Sequence, residues 1–124
     1  PNEQAIAEQV ATSTYRPCCN NPTSFPDCNH GAAGLGLIEL MASEGFNETQ
    51  ILSSLNSFEA FYFPQSFVSE AVYFYAAQGI PWNQLSGEQA LQFYYASGTG
   101  AGYVQQYLTY YNVAGHANSC QWCG

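Results

Sequence analysis

Apolar residues recur at helical spacing along most of this chain. In residues 3–14, for example, Ile6 and Val10 lie four positions apart on one helical face. No segment shows the sustained alternation of apolar and polar residues that a half-buried strand requires. The pattern therefore predicts an all-α fold of about six short helices, at approximately residues 3–14, 30–44, 47–63, 66–78, 86–97 and 102–112.

Helix-capping residues mark several of these boundaries. Asn47 and Ser86 are each followed three residues later by glutamine, which is the spacing of a capping box. Ser66 is expected to cap the fourth helix, and Gly79 to end it. The glycine-rich stretch at 98–102 separates the last two helices and is interpreted as a hinge or a close-packing corner.

The second helix is expected to begin at an Asp27 or Asn29 cap, and it contains Gly31, Gly34 and Gly36. Each glycine weakens a helix by about 1 kcal/mol relative to alanine. Three of them in one helix indicate that another backbone packs closely there.

Two segments of the chain show a weak internal similarity. Gly45 and Gly79, 34 residues apart, each end a predicted helix and lead through a short turn into the next one. Two such copies are too few for a solenoid. We therefore expect two stacked helical hairpins.

The charge of the chain limits its partners. Its 124 residues are enough for one domain with its own core. Only 8% of them are charged, Arg16 is the one cation, and the formal net charge is −8. Without a basic patch to neutralise phosphates, the chain has no means of binding nucleic acid or an anionic membrane surface. No apolar run approaches the roughly 20 residues of a membrane span.

Aromatic residues replace much of the missing charge. The chain has ten tyrosines and eight phenylalanines. Tyrosine offers flat apolar area with one polar tip, so a surface rich in it packs well against other proteins. Two interpretations follow: a secreted monomer kept soluble by its acidic charge, or a subunit that covers much of its surface with neighbours. We favour the second.

All five cysteines and both histidines fall in two segments near the ends of the chain. Adjacent Cys18 and Cys19 rarely bridge each other, so a disulfide frame would join one of them to Cys28 and the other to the tail. A bridge from loop to tail closes about 100 residues and stabilises by up to about 4–5 kcal/mol. Because five is odd, one thiol is left over. The disulfide candidates are Cys18, Cys19, Cys28, Cys120 and Cys123.

A metal site is the alternative use of the same residues. Cys-x-His in the loop and His-x3-Cys-x2-Cys in the tail supply ligands that suit zinc, copper or an iron–sulfur cluster. A working redox Cys-x-x-Cys is disfavoured, because no thioredoxin-like βαβ pattern surrounds it. The candidate metal ligands are Cys28, His30, His116, Cys120 and Cys123.

Motifs for catalysis are scarce. The sequence contains no nucleophile elbow, no P-loop and no Glu-x-x-His of a di-iron bundle. A carboxylate pair would form only if two helices faced each other, with Glu39, Glu44, Glu59 and Glu70 as the candidates. We therefore expect no enzymatic activity.

Several features favour an exported protein. The chain begins at proline, which fits a processed mature form, and its cysteines fit an oxidising compartment. Asn47-Glu48-Thr49 adds a candidate glycosylation site at Asn47. We expect a secreted, extracellular or cell-surface location.

The sequence thus predicts a single helical domain over residues 1–124. A Cys/Pro-rich loop at 15–29 and a Cys/His tail at 113–124 are expected to be clasped together by cysteines. The expected function is a non-enzymatic structural subunit of a larger extracellular assembly (a filament, coat or complex), whose partners are copies of itself or other subunits. The alternative is a Cys/His metal- or cofactor-binding protein for electron transfer or metal capture. No cofactor is expected unless it is such a metal.

Overall fold

The computed structural model describes residues 2–113, and within that range the chain is all-α, as predicted. Seven α-helices follow one another, with a 3-10 turn at Trp82–Gln84 and no strand in this range. None of these helices has the length and apolar character needed to cross a membrane. The helices are α1 Asn2–Ser13, α2 Asn29–Ser43, α3 Glu48–Tyr62, α4 Pro64–Gln78, α5 Gly87–Ala90, α6 Phe93–Ala96 and α7 Gly98–Tyr110.

Local capping signals place two helix starts where the sequence predicts them. At α3, the Asn47 side chain accepts a hydrogen bond from the Gln50 amide at 2.8 Å, and the Gln50 side chain accepts one from the Asn47 amide at 2.9 Å. Ser86 and Gln89 form the same reciprocal pair at α5. Gly79 ends α4 with a left-handed φ of 68°, which glycine adopts without a steric penalty. These predictions are confirmed.

Two other boundaries differ from the prediction. Helix α4 begins at Pro64 rather than after Ser66, because proline at the first helical position needs no amide partner. The glycine-rich stretch at 98–102 is not a hinge between two helices, because it forms the first residues of α7. There the Ser97 hydroxyl accepts a hydrogen bond from the Gly100 amide at 2.9 Å. Gly100 is nevertheless a close-packing position, since a Cβ there would lie 2.5 Å from the Phe93 carbonyl oxygen.

The helix expected after Ser86 is divided into α5 and α6. The division occurs at Leu91, whose carbonyl accepts a hydrogen bond from the Tyr15 amide at 2.8 Å. In a continuous helix that carbonyl would accept from residue 95 instead. A contact with a distant part of the chain therefore ends α5, and no local breaker is needed.

The apolar residues form two clusters. The first lies among α1, α2, α3 and the start of α4, and it also takes in the fully buried Leu91. The second lies between α4 and α7 and is centred on Tyr73, Phe74, Val104 and Leu108. Helix α3 contacts both α4 and α5, so it joins the front of the chain to the back.

The expected pair of stacked hairpins is only half present. Helices α2 and α3 pack against each other as consecutive partners. Helix α4, however, packs on α7, and α5 packs on α3. The resemblance around Gly45 and Gly79 therefore reflects two similar helix ends, not two copies of one structural unit.

The segment between α1 and α2 is a loop, as predicted, but an ordered one. The buried hydroxyls of Thr14 and Thr23 lie 2.8 Å apart, and the Thr23 amide donates to the Thr14 carbonyl at 2.9 Å. Farther along, the carbonyl of Cys19 accepts from the Gly98 amide at 2.7 Å. The Asn20 side chain accepts from the Thr99 amide at 2.8 Å. The loop thus touches α1 at one side and the start of α7 at the other.

Replacing Leu91 with alanine tests how strongly the α5–α6 junction is bound to the first cluster. We expect Leu91→Ala to lower the free energy of unfolding by about 2–5 kcal/mol, since it leaves a cavity at a fully buried site. Leu40→Ala, at a position that is 61% exposed, is the matched control and should change it by less than about 0.5 kcal/mol. Urea unfolding of both variants measures the difference, and equal losses would contradict the packing described.

Candidate functional site

The only cation of the chain lies at the centre of the loop. Arg16 is 1% exposed. Its guanidinium donates to the carbonyls of Pro22 at 3.2 Å, Phe25 at 3.2 Å and Asn21 at 3.5 Å. It also forms an ion pair with the Asp27 carboxylate. A buried charge is tolerated only when it is paired and hydrogen-bonded, so the path of the loop is dictated by this one side chain.

Asp27 is fixed from two sides. The Asn21 side-chain amide donates to one carboxylate oxygen at 2.9 Å, and Arg16 donates to the other. The Asn21 hydrogen bond first, and the Arg16 charge with it, hold the pKa of Asp27 below its usual value, against a smaller opposing effect of burial. Asp27 is therefore the ion-pair partner of Arg16 and does not cap α2, which corrects the sequence prediction.

The first turns of α2 are shaped to receive this arrangement. A Cβ at Gly31 would lie 2.6 Å from a terminal nitrogen of Arg16, so the guanidinium rests directly on the helix. A Cβ at Gly34 would lie 3.4 Å from a carboxyl oxygen of Glu59. Gly36 has nothing within 4 Å. The prediction of a close backbone neighbour is wrong: the close neighbours are side chains.

Cys28 is the residue that caps α2, in place of the predicted Asp27 or Asn29. Its sulfur accepts a hydrogen bond from the Gly31 amide at 3.4 Å, and the backbone of Cys28 is extended. The Gly31 amide, together with the Arg16 guanidinium, lowers the pKa of the Cys28 thiol, although partial burial opposes the shift. The residue that caps α2 is therefore also a thiol whose anionic form is favoured by its surroundings.

The other two loop cysteines differ from Cys28. The Cys18 sulfur is 4.0 Å from the Cys28 sulfur. Burial, followed by the neighbouring thiols, raises the pKa of Cys18 to about 11. The Cys19 thiol lies 3.9 Å from the Asn21 carbonyl and 3.9 Å from an Asp27 carboxylate oxygen, and both act as acceptors.

The expected disulfide clasp is not formed by the cysteines that the structure describes. Cys18, Cys19 and Cys28 are all free thiols. The 4.0 Å between the closest two sulfurs is well beyond the roughly 2.05 Å of a disulfide bond. What holds the loop in this part of the molecule is the buried arginine. Cys120 and Cys123 lie outside the described residues.

The candidate metal ligands are only partly described. The ring of His30 packs edge-on against Tyr62, at 4.7 Å between centroids, and against Phe63, at 5.2 Å. Within residues 2–113, no three His, Cys, Asp or Glu side chains are grouped so that they could hold a metal ion. His116 and the tail cysteines fall outside that range.

Two glutamates are buried in the helical body. Burial raises the pKa of Glu59 to about 7, although the Arg16 charge lowers it. Burial alone raises the pKa of Glu70 to about 9. Neither carboxyl contributes to the shift of the other, so these two glutamates do not form a coupled carboxylate pair. Glu39 is exposed on α2, and Glu44 is exposed at the C-terminal cap of that helix.

A second feature, which the sequence only partly indicates, is an aromatic cavity at the junction of α6 and α7. The ring of Tyr73 lies 5.5 Å from that of Tyr95, 6.0 Å from that of Tyr103 and 5.0 Å from that of Tyr107. Burial and a hydrogen bond with Tyr103 raise the pKa of Tyr73 to about 12, so its hydroxyl stays protonated. The cavity, of about 410 Å³, is lined by Phe93, Tyr94, Tyr95, Thr99, Gly100 and Tyr103.

Gly31→Ala tests whether Arg16 rests on α2. Four acceptors hold the guanidinium in place, so it has little room to withdraw from a new methyl group, and we expect the free energy of unfolding to fall by about 1–3 kcal/mol. Gly36→Ala lies in the same helix with open space around it, and it should stabilise by about 0.5–1 kcal/mol. Chemical unfolding of the pair distinguishes the two, and stabilisation by both would show that the contact is absent.

Glu59→Gln tests the buried carboxyl through its pH dependence. The folded pKa of about 7 lies above the ordinary value of 4.5, so the unfolded chain releases this proton first. The stabilising contribution is complete below pH 4.5 and is lost as the pH rises through 7. Relative to the wild type, Glu59→Gln should therefore become more stable between these limits, by about 1–3 kcal/mol.

Unfolding by urea at a series of pH values measures this effect. Glu39→Gln removes the same formal charge from an exposed position of α2 and is the control, with an expected change of less than about 0.5 kcal/mol. Parallel stability profiles for the wild type and Glu59→Gln would mean that Glu59 is not held in a raised-pKa environment.

No family model, curated protein or solved structure matches this chain. What it does is therefore inferred from its own geometry: the loop built around Arg16, and the tyrosine-rich surface of α6 and α7.

Proposed function

We propose that this chain is a non-enzymatic structural subunit of an extracellular assembly and that it binds copies of itself through a tyrosine-rich surface. This surface, called here the tyrosine face, belongs to α6, α7 and the residue after α7. The observation that carries the proposal is that four exposed tyrosines, Tyr94, Tyr103, Tyr110 and Tyr111, lie within residues 89–113, which contain no aspartate, glutamate, lysine or arginine. The tyrosine face consists of Tyr94, Tyr95, Tyr103, Tyr107, Tyr110 and Tyr111.

The charges of the chain are unevenly distributed. Every aspartate, glutamate and arginine lies at or before Glu88, and residues 89–124 contain none. Glu70 belongs to α4, which packs on α7, but its raised pKa of about 9 keeps it protonated at neutral pH. The front of the chain is therefore acidic and the back is neutral.

The tyrosine face combines four exposed rings with two, Tyr95 and Tyr107, that are partly buried against the second cluster. Tyr94 is 70% exposed and Tyr110 is 80% exposed. Tyr111 stacks between its neighbours, with ring centroids 4.6 Å from Tyr107 and 4.8 Å from Tyr110. Rings that pack on one another lose little further freedom when a partner covers them. The face is thus a preformed surface rather than a set of separate side chains.

These properties favour a second copy of the chain as the occupant. Interface cores are enriched in aromatic residues and depleted of charge, as this face is. Copies that share a negative charge repel one another. Contact between neutral faces keeps the acidic ends apart, which minimises that repulsion.

Two further expectations belong to the proposal. An extracellular location agrees with Asn47, whose side chain is exposed at the start of α3 and open to a glycan. The metal-binding alternative is less favoured, because the positive charge of the Arg16 guanidinium lies near the Cys28 sulfur and would repel a cation there.

Sedimentation velocity over a range of concentrations tests the proposal. The wild type should associate as its concentration rises. Tyr110→Glu places a charge in the neutral face and should weaken association by at least about tenfold, through charge repulsion and lost aromatic area.

Phe61→Glu is the matched control. Phe61 is 79% exposed, almost the same as Tyr110, but it lies on α3, away from the tyrosine face. It should leave association unchanged. A wild type that remains monomeric at all concentrations, or an equal effect of both substitutions, would rule the proposal out.

A further inference from the structure

We infer that Cys28 and Cys18 form a thiol–disulfide exchange site for a small-molecule disulfide, with Cys28 as the attacking thiolate and Cys18 as the resolving thiol. The inference depends on the loop between α1 and α2 and not on the tyrosine face. Its test is therefore independent of the test of self-association. It predicts a specific order of reaction among three neighbouring cysteines.

The two sulfurs are placed to react with each other. They lie 4.0 Å apart, the Cys18 side chain is exposed, and Cys28 is partly exposed. A disulfide needs a separation of about 2.05 Å, and a movement of roughly 2 Å is within reach of side-chain rotation. Both the external disulfide and the internal partner can therefore reach the Cys28 sulfur.

The surroundings of the two sulfurs differ in a way that sets their roles. The Cys28 sulfur accepts a hydrogen bond from the Gly31 amide and lies near the positive charge of the Arg16 guanidinium, and both favour the anion that attacks a disulfide. The Cys18 sulfur has neither, and its raised pKa of about 11 keeps its proton in place. Attack on an external disulfide therefore begins at Cys28.

Cys19 is set apart although it is adjacent to Cys18 in sequence. Its single S–H group has two acceptor oxygens within reach, those of the Asn21 carbonyl and the Asp27 carboxylate, each 3.9 Å from the sulfur. It faces these oxygens rather than the sulfur of Cys28. We therefore assign it no part in the exchange.

The reaction balances with the external disulfide as the oxidant. The Cys28 thiolate attacks one sulfur of the disulfide, whose S–S bond breaks, and the departing thiolate takes a proton from water. Cys18 then loses its proton to solvent and attacks the Cys28 sulfur, which releases the second thiolate. In sum, two protein thiols lose two electrons to form one bond, and the external disulfide is reduced to two thiols.

The contacts that hold the loop together remain in place when Cys28 reacts. When the Cys28 sulfur enters a disulfide, Arg16 keeps its ion pair with Asp27 and its hydrogen bonds to three backbone carbonyls. The charge of the buried guanidinium therefore stays paired. None of these four partners involves the Cys28 sulfur.

Treatment of the reduced, full-length chain with oxidised glutathione near neutral pH tests the inference. Acid quenching and mass spectrometry of the resulting peptides should find a bond between Cys18 and Cys28. Cys18→Ser should accumulate one glutathione on Cys28, because the resolving thiol is missing. Cys28→Ser should prevent both products, while its hydroxyl still caps α2.

Cys19→Ser is the matched control, since Cys18 and Cys19 share a peptide and cannot be separated by ordinary digestion. This variant should form the Cys18–Cys28 bond as fast as the wild type. A bond from Cys28 to Cys19 or to a tail cysteine would overturn the inference. So would a Cys18→Ser variant whose Cys28 takes up glutathione no faster than its Cys19 does.

Discussion

The burial of Arg16 is the constraint on which the arrangement of this chain depends. A guanidinium removed from water must find acceptors, and in this loop they are three backbone carbonyls and the carboxylate of Asp27. Those acceptors lie between Asn21 and Asp27, so satisfying the charge determines how the second half of the segment folds back on Arg16. The same side chain occupies the space that a Cβ at Gly31 would fill. One cation thus positions both the loop and the first turn of α2.

The loop in turn joins the two halves of the molecule. The Tyr15 amide donates a hydrogen bond to the Leu91 carbonyl, and this contact ends α5. The Tyr15 ring packs edge-on against the Phe93 ring, with 5.2 Å between the ring centroids. The carbonyl of Cys19 and the side chain of Asn20 satisfy two amides at the start of α7. The amides of a helix start need partners. These contacts place α6 and α7, and with them the tyrosine face, relative to the front of the chain.

The distribution of charge separates two kinds of chemistry in one small protein. The cysteine-bearing loop has a cation, a carboxylate and three thiols within a few ångströms, and the different surroundings of Cys18 and Cys28 give their sulfurs opposite protonation tendencies. The back of the chain has no free charge and presents aromatic rings. The total of nine acidic residues does not by itself reveal this uneven distribution of charge. Burial raises the pKa of Glu70 to about 9 and that of Glu59 to about 7, so near neutral pH Glu70 is protonated and Glu59 is only partly ionised.

Features that arise between neighbours along the chain could be predicted from the sequence: the helical class, the capping boxes at Asn47 and Ser86, and the end of α4 at Gly79. These depend on contacts three or four residues apart, which a pattern records. Three other features follow only from the fold: α5 ends at Leu91, Asp27 is engaged by Arg16 and so leaves the cap of α2 to Cys28, and an arginine organises the loop. Each of those outcomes depends on a partner brought near by folding. A hydrogen bond or a buried charge selects that partner by distance in space, and spacing along the chain does not reveal it.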